Sequence, residues 1–255
     1  MKDMIANFKS LFLGDCLSLM SEIPDTSVDM VLCDLPYGTT ACKWDSIIPF
    51  NTLWDHYRRV CKRDAPIVLT ASQPFTSSLL MSNPDAFRHE WIWEKSKASN
   101  FLLARKQPLK AHESVLTFCF GNPPYYPQKT PGKPFKGSGR SKKGSKTDLV
   151  NDVPNPTFRN DNAGDRFPRS VQYFVTAENE GCLHPTQKPV ALMEYLIRTY
   201  TNEGEVVLDN TMGSGTTGVA CLRTNRNFIG IEMDPIFFKI ACDRIERECR
   251  HGVLL

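Results

Sequence analysis

Two patterns of apolar residues, one typical of helices and one typical of buried strands, alternate in the N-terminal and C-terminal parts of this chain. Helical spacing of apolar residues predicts helices over residues 50–61 and from Val190 to about Tyr200. Compact apolar runs near them have the length of buried strands. These runs are residues 28–34, 66–71, 90–94, 114–120, 205–209 and 227–232. The alternation predicts one doubly wound α/β domain with a mostly parallel sheet.

Three further helices complete this pattern. A short helix over residues 75–81 is closed by Asn83-Pro84. Another is predicted from Thr216 to about Arg223, after a glycine-rich turn. The last is predicted from Asp234 to about Arg250, with Asp234 as N-cap and a proline at the first helical position.

The middle of the chain, from Gly121 to about Gly181, has little periodicity and is rich in Pro, Gly, Ser, Asn and Lys. We therefore predict an irregular insert at 121–183 between residues 1–120 and 184–255, which form one domain. The insert contains a basic run: Lys129, Lys133, Lys136, Arg140, Lys142, Lys143 and Lys146. Such a run gains affinity for a polyanion by releasing phosphate counterions, but a solvated, mobile loop has the same composition.

Composition narrows the class of protein. A chain of 255 residues with 41% hydrophobic and 23% charged residues is typical of a globular protein. A net charge of +3 by itself says little about a nucleic-acid partner. Nine cysteines without C-x-x-C spacing indicate a reduced, intracellular protein with no disulfide framework and no zinc site. There is no signal-peptide core and no apolar run of membrane-spanning length, so we predict a cytoplasmic location without membrane contact.

The first chemical motif is Asp34-Leu35-Pro36-Tyr37-Gly38, at the end of the strand predicted over residues 28–34. In an open α/β sheet, ligands bind beyond the carboxyl ends of strands. The Asp34 carboxylate and the Leu35 carbonyl could accept both N–H groups of an exocyclic base amine and free its lone pair. Pro36 stiffens the turn, and Tyr37 can stack on a flipped base. A simple strand-ending turn has the same residue types.

The second motif is Asp209–Gly218, DNTMGSGTTG, which also follows a predicted strand. Gly213 and Gly215 let the backbone approach a ligand, and the amides at a helix N-terminus bind carboxylate or ribose groups. Glu232 ends the next strand, 23 positions after Asp209, where an acid commonly bonds ribose hydroxyls. The alternatives are a plain strand–helix turn and a dinucleotide site, although no pyrophosphate-binding second half follows.

Together the motifs resemble the amino-methylating DNA methyltransferases that use S-adenosylmethionine. That family has an Asp/Asn/Ser-Pro-Pro-Tyr/Phe catalytic signature and a Phe-x-Gly-x-Gly cofactor signature. The order here, with the catalytic loop first, a basic region next and the cofactor loop last, resembles the β class. The segments GDCLSLM (14–20), HPTQKP (184–189) and GSGTTG (213–218) are also similar to this group. The resemblance implies a Rossmann-like methyltransferase fold with a circularly permuted motif order and a basic target-recognition insert.

The resemblance also implies a role for each matching residue. The catalytic loop would be Asp34, Leu35, Pro36 and Tyr37. The residues that bind S-adenosylmethionine would be Asp15, Thr186, Lys188, Asp209, Gly213, Gly215, Thr216 and Glu232. The basic run from Lys129 to Lys146 would contact double-stranded DNA.

This chain departs from the family signatures at two positions. Leu35 replaces the first proline of the commoner catalytic signature, and its carbonyl can still accept a hydrogen bond. Thr211 stands where the family often has phenylalanine, so packing of that side chain on the cofactor is not implied. The acidic first residue of the motif, Asp34, implies adenine, because the cytosine enzymes of this class usually have serine there.

We therefore expect a site-specific enzyme that methylates the N6 amine of adenine after base flipping. The alternatives are an N4-cytosine methyltransferase, an RNA base methyltransferase, a non-catalytic DNA-binding subunit on the same fold and a nicotinamide oxidoreductase. An intact Asp34 and glycine loop argue against the non-catalytic subunit. The sequence does not decide whether the protein forms a homodimer or acts together with a restriction endonuclease. Trp91 and Trp93, at strand spacing, are expected to pack in the core.

Overall fold

The computed structural model describes residues 10–39, 45–134, 164–181, 183–184 and 186–252. Five members of the predicted basic run fall outside these ranges: Lys136, Arg140, Lys142, Lys143 and Lys146. The chain forms two compact units, one of Met1–Tyr126 with Ser170–Leu255 and one of Pro127–Arg169. The smaller unit lies within the predicted 121–183 insert, and the flanking segments of that insert belong to the larger unit.

The larger unit contains eight strands and six α-helices among the described residues. The strands are β1 (Leu11–Leu13), β2 (Met30–Asp34), β3 (Ile67–Ala71), β4 (Phe87–Ser99), β5 (Lys110–Phe118), β8 (Val171–Phe174), β9 (Val206–Asp209) and β10 (Asn227–Glu232). The helices are α1 (Cys16–Met20), α2 (Phe50–Val60), α3 (Phe75–Ser82), α4 (Val190–Tyr200), α5 (Thr216–Arg223) and α6 (Pro235–Gly252).

The eight strands form one sheet in the order β1-β10-β9-β2-β3-β5-β4-β8. The first five of these strands are mutually parallel. β5 is antiparallel to β3 and to β4, while β8 is parallel to β4. The sheet is therefore mostly parallel, as the sequence predicted.

The hydrophobic core occupies both faces of this sheet, because side chains of a strand point alternately to opposite faces. On β2, Val31 and Cys33 pack with α1, α2 and α3, whereas Met30 and Leu32 pack with α4, α5 and α6. Trp91 and Trp93 of β4 are buried on the second face, as expected. The predicted doubly wound α/β architecture is confirmed.

Three parts of the sheet differ from the sequence prediction, and the first is β1, a three-residue strand that the sequence did not predict. β4 and β5 together form an antiparallel hairpin longer than the runs 90–94 and 114–120, and Cys119 and Phe120 lie beyond the end of β5. Polar, half-exposed residues occupy the extensions, so they carry no apolar signal. β8 lies inside the predicted irregular insert, and its four half-exposed residues are too few for a periodic pattern.

The smaller unit has one described element, an antiparallel pair of β6 (Thr130–Pro131) and β7 (Asp165–Arg166). Lys129 lies 3.7 Å from a carboxylate oxygen of Asp165, and its ammonium lies 4.9 Å from the ring centroid of Phe167. The main-chain oxygen of Lys133 accepts a hydrogen bond from Arg166. Two of the predicted DNA-contacting lysines thus flank the first strand of this pair.

Three absences hold for the described residues only. No helix in those ranges is long and apolar enough to cross a membrane. Nor do the described side chains form a group of three or more His, Cys, Asp or Glu suited to a metal ion. The seven described cysteines are unpaired, and five of them are buried.

Candidate active site

The carboxyl ends of the parallel strands surround one cavity of about 270 Å³. Asp34 ends β2, Asp209 ends β9 and Glu232 ends β10, and all three line it. Asp15, just after β1, also lines it. Of the twelve residues predicted for catalysis or cofactor binding, only Gly215 is absent from the cavity wall.

The side chain of Asp34 is held by three hydrogen bonds. Its Oδ2 atom accepts from Lys188 Nζ at 2.6 Å, and its Oδ1 atom accepts from the Tyr37 hydroxyl at 2.7 Å. The Thr70 hydroxyl, on β3, also donates to Oδ1. Thr211 Oγ1 donates to the main-chain oxygen of Asp34 at 3.1 Å. The residue that replaces the family's phenylalanine therefore ties the cofactor loop to the catalytic loop.

Lys188 is buried between two carboxylates. Its Nζ atom lies 3.4 Å from Glu113 Oε2, and Glu113 Oε1 accepts from Lys95 Nζ at 2.9 Å. Burial alone would lower the pKa of Lys188, but the carboxylates of Asp34 and Glu113 outweigh it and raise that pKa. Burial would likewise raise the pKa of Glu113, yet Lys188 and Lys95 hold it below its usual range. Basic and acidic side chains therefore alternate along this network.

Tyr37 presents a fixed aromatic ring beside Asp34. Its ring stacks on Phe75, with centroids 5.0 Å apart and planes 25° from parallel. Burial, reinforced by the carboxylates of Asp34 and Glu113, raises the pKa of Tyr37 well above its usual value. The hydroxyl is thus neutral and donates to Asp34, while Phe75 fixes the ring from one side.

The glycine loop is organised around two buried carboxylates. Glu232 accepts from the amides of Gly213 at 2.9 Å and Asp234 at 2.8 Å. Asp209 accepts from the Thr211 amide at 3.1 Å and the Thr217 hydroxyl at 2.6 Å. Burial raises the pKa of Asp209 to about 7 despite these bonds. Burial also raises the pKa of Glu232, and the amides oppose it.

The other predicted cofactor residues have distinct local roles. Asp15 caps α1 by accepting from the amide and hydroxyl of Ser18, each at 2.9 Å. The Thr186 hydroxyl lies 3.1 Å from His184 Nδ1. Thr216 Oγ1 accepts from Arg244 at 2.9 Å. These three side chains reach the cavity from α1, from the segment before α4 and from the start of α5.

Gly215 differs in placement from the other predicted cofactor residues. It is the N-cap of α5 with φ +78°, and a Cβ added there would lie 2.9 Å from Ala241 Cβ on α6. Gly213 has φ +52°, and the atom nearest to a Cβ added there belongs to the His184 side chain, 3.8 Å away. Gly215 therefore serves helix packing, whereas Gly213 faces the cavity.

The donors and surfaces of the cavity suit a nucleoside with a charged amino-acid tail. Two residues of its wall, Gln187 and Asn210, have buried side-chain nitrogens with no hydrogen-bond partner among the described residues. Such donors require an acceptor, which a bound carboxylate would supply. Phe237 and His184, whose ring centroids are 4.2 Å apart, add aromatic surface. The residues present therefore fit S-adenosylmethionine.

Three residues of this site were not identified from the sequence. Phe237 carries no signal beyond its place in the last helix. Thr70 is the next-to-last residue of a buried strand and looks like an ordinary β-residue. Glu113 is an isolated acid before an apolar run, and only tertiary pairing brings it to Lys188.

Comparisons with known proteins agree with this geometry. The family model described as "DNA methylase" (N6_N4_Mtase) matches residues 28–243. The DNA adenine methyltransferase YhdJ of Escherichia coli K12 is 29% identical over 93% of this chain and 83% of its own length.

Two solved structures share the fold. M1.HpyAVI in complex with SAM has a TM-score of 0.62 at 23% identity, over 92% of this chain and 98% of that one. The cytosine-N4-specific PvuII methyltransferase has a TM-score of 0.64 at 17% identity, over 96% and 93%. At this identity they support the fold alone. Because the family model spans most of the sequence, the chain belongs to the DNA methylase family.

Proposed function

We propose that this protein is a site-specific DNA methyltransferase that transfers a methyl group from S-adenosylmethionine to the N6 amine of adenine. The observation that carries the proposal is one cavity containing both Asp34 with Tyr37 and Asp209 with Glu232. A base amine and a cofactor bound there would meet between the two loops. The resemblance to YhdJ, which is named a DNA adenine methyltransferase, supports the choice of adenine.

Asp34 would accept a hydrogen bond from the flipped base's amine. Lys188, Tyr37 and Thr70 already fix this carboxylate, so little reorganisation is needed when the amine arrives. The Leu35 carbonyl would accept the second N–H, which frees the nitrogen lone pair for attack. The amine proton directed at Asp34 is the one released once the nitrogen carries the new methyl group.

Tyr37 would stack on the flipped base. Phe75 covers one face of its ring, so the base would stack on the other face. Stacking of a base on an aromatic side chain contributes about 1–3 kcal/mol. The same ring therefore selects a planar base and brings its amine next to Asp34.

The cofactor side of the cavity would hold S-adenosylmethionine, which supplies a methyl group activated on a sulfonium. Glu232 would bind the ribose hydroxyls, and Asp209 and Gly213 would contact the methionine moiety, since all three line the cavity. The unpartnered Gln187 amide donor suits a carboxylate. Asp15, Thr186, Lys188 and Thr216 complete the wall, while Gly215 would act indirectly by packing α5 on α6.

The remaining parts of the proposal concern the partners. The substrate is double-stranded DNA, and the basic run from Lys129 to Lys146 within the insert is proposed to bind its phosphates. Homodimer formation and pairing with a restriction endonuclease remain predictions. An N4-cytosine methyltransferase is the alternative activity, and the acidic residue Asp34 at the first motif position favours adenine.

Methyl transfer from labelled S-adenosylmethionine to unmethylated DNA, followed by digestion to nucleosides and mass spectrometry, tests the proposal. We expect N6-methyladenine from the parent and from Asp55→Ala, a control at an exposed carboxylate on α2. Asp34→Ala should yield none. N4-methylcytosine would overturn the base assignment, and cofactor binding without transfer to DNA would favour an RNA substrate or the non-catalytic subunit.

A further inference from the structure

The connection between β4 and β5, residues 100–109, projects from the edge of the sheet that holds the cavity. β5 is antiparallel to β3, and Ser114 pairs with Ala71, the last residue of β3. Residues before Ser114 therefore extend beyond the carboxyl ends of the parallel strands. The pair Ser99–Lys110 closes the hairpin four residues further, about 14 Å along an extended strand. We call residues 100–109 the hairpin tip.

The hairpin tip exposes large apolar side chains. Leu102 is fully exposed and Phe101 is 65% exposed, within a short 3₁₀ helix, Phe101–Leu103. Leu103 and Leu109 are also exposed. Side chains of this size at the end of a protruding hairpin contribute nothing to the core, so a contiguous group of them indicates a contact surface.

The charged residues of the segment that carries these apolar side chains all have one sign. Residues 95–110 include five basic residues and no acidic one. Lys95 pairs with Glu113 and Lys97 with Glu178, but Arg105, Lys106 and Lys110 have no carboxylate partner among the described residues. A surface that combines exposed leucines and phenylalanine with unpaired cations is complementary to nucleic acid, which offers phosphates outside and apolar base faces inside.

We propose that the hairpin tip enters the DNA duplex beside the target base, with Phe101 or Leu102 against the stack and Arg105 and Lys106 on phosphates. This inference rests on the proposed methylation of a flipped base. Flipping leaves a gap between base pairs, and an apolar side chain that fills it keeps the base from returning. A second copy of this chain is a poorer occupant, because two tips would bring together charges of the same sign.

The test uses the sequence that the wild-type protein methylates, identified by sequencing methylated plasmid DNA. A duplex with 2-aminopurine at the target position reports flipping by fluorescence, and an adenine duplex reports kcat/KM. For the double variant Phe101→Ala, Leu102→Ala we expect kcat/KM on duplex DNA to fall about tenfold or more, with a smaller 2-aminopurine signal. Affinity for S-adenosylmethionine should not change.

A charge variant and an apolar control separate the two roles of the tip. Arg105→Gln, Lys106→Gln should weaken duplex binding and reduce the slope of log K against log salt by about 2, since each phosphate contact contributes about 0.9. Met81→Ser removes a 69% exposed apolar side chain at the end of α3, away from the cavity. It should change neither the affinity for the duplex nor the dependence of that affinity on salt.

The outcomes distinguish the two proposals. If the wild-type protein methylates no DNA, the proposed function fails. Wild-type activity that Phe101→Ala, Leu102→Ala leaves intact would overturn the role of the tip alone. A change in oligomeric state by light scattering without a change in flipping would assign the tip to contact between copies, and would overturn the proposal as well.

Discussion

Lys188 donates a 2.6 Å hydrogen bond to Asp34 from the segment that precedes α4, 154 positions away in sequence. The same ammonium faces Glu113, which in turn pairs with Lys95. The carboxylate proposed to accept the substrate amine is therefore oriented by residues of three separate segments. A buried pair of this kind fixes geometry more than it adds stability, because desolvation offsets much of the attraction.

Replacing Lys188 or Glu113 should reduce catalysis more than substrate binding. Lys188→Met removes the donor that orients Asp34, and a misplaced catalytic group costs about 100-fold in kcat. Glu113→Gln weakens the placement of Lys188, and hydrogen bonds to charged groups contribute about 1.5–3 kcal/mol, so we expect a loss of kcat of about tenfold or more. Single-turnover methylation with separate KM values for DNA and cofactor measures both.

A matched control for these two variants is Lys62→Met. Lys62 pairs with Asp29 at 2.5 Å, but its side chain is 55% exposed and it does not line the cavity. Its removal should leave kcat unchanged. Equal losses of kcat in Lys62→Met and Lys188→Met would mean that the positions act through stability, which thermal melting would reveal.

Two substitutions at Tyr37 separate its hydroxyl from its ring. Tyr37→Phe keeps the stack on Phe75 and removes the hydrogen bond to Asp34. A hydrogen bond to a charged group contributes about 1.5–3 kcal/mol, and the lower value corresponds to a loss of kcat of about tenfold. Tyr37→Ala also removes base stacking, worth about 1–3 kcal/mol, and should lower kcat/KM for DNA further. Equal kcat/KM in the two variants would argue against stacking on the base.

The free energy of unfolding should depend on pH through Asp209. Its folded pKa is about 7, above the usual carboxyl value of about 3.9, so the folded protein keeps a proton that the unfolded chain loses. The contribution of this retained proton to the free energy of unfolding is complete below about pH 4 and is lost as the pH rises through 7. Asp209→Asn cannot titrate, so wild type should lose stability relative to this variant between pH 5 and pH 8.

Urea denaturation of both proteins at these two pH values measures the difference directly. Other titrating groups contribute equally to wild type and Asp209→Asn, so they cancel in the comparison. A difference in free energy that does not change with pH would show that the buried carboxyl titrates normally.

Gly215→Ala should destabilise the protein more than Gly213→Ala. Both positions have left-handed backbone, which costs a non-glycine residue about 1–2 kcal/mol. At Gly215 the new methyl group also lies 2.9 Å from Ala241 Cβ and forces α5 and α6 apart, which overpacking data put at about 1–3 kcal/mol more. At Gly213 the nearest atom is 3.8 Å away. Melting temperatures test the order, and equal shifts would contradict it.

The elements with local signals could be predicted from sequence. α4 and α5 have the predicted bounds because a proline precedes one and a glycine turn precedes the other. The N-cap at Asp234 is also confirmed, by its bonds to the amides of Ile236 and Phe237. The positions of the loops that follow Asp34 and Asp209 at strand ends were predicted for the same reason, since turn residues after apolar runs mark strand ends.

What sequence reasoning missed depends on pairing across the fold. Thr70 reaches Asp34, and Glu113 reaches Lys188, only because β3 lies beside both β2 and β5, which no local pattern specifies. The extensions of β4 and β5 are mostly polar and only partly buried, so hydrophobic periodicity could not predict them. The separate role of Gly215 depends on α6 packing against α5, and this too is a tertiary fact.

The direct pairing of β2 with β9 bears on how a gene for such a protein can be divided. In the sequence, β2 precedes the smaller unit and β9 follows it. β2 leads into the loop with Asp34, and β9 leads into the glycine loop. A break in the polypeptide within residues 127–169 would leave every strand of the large sheet whole. The architecture thus permits an enzyme encoded as two open reading frames, whose products assemble by completing each other's sheet.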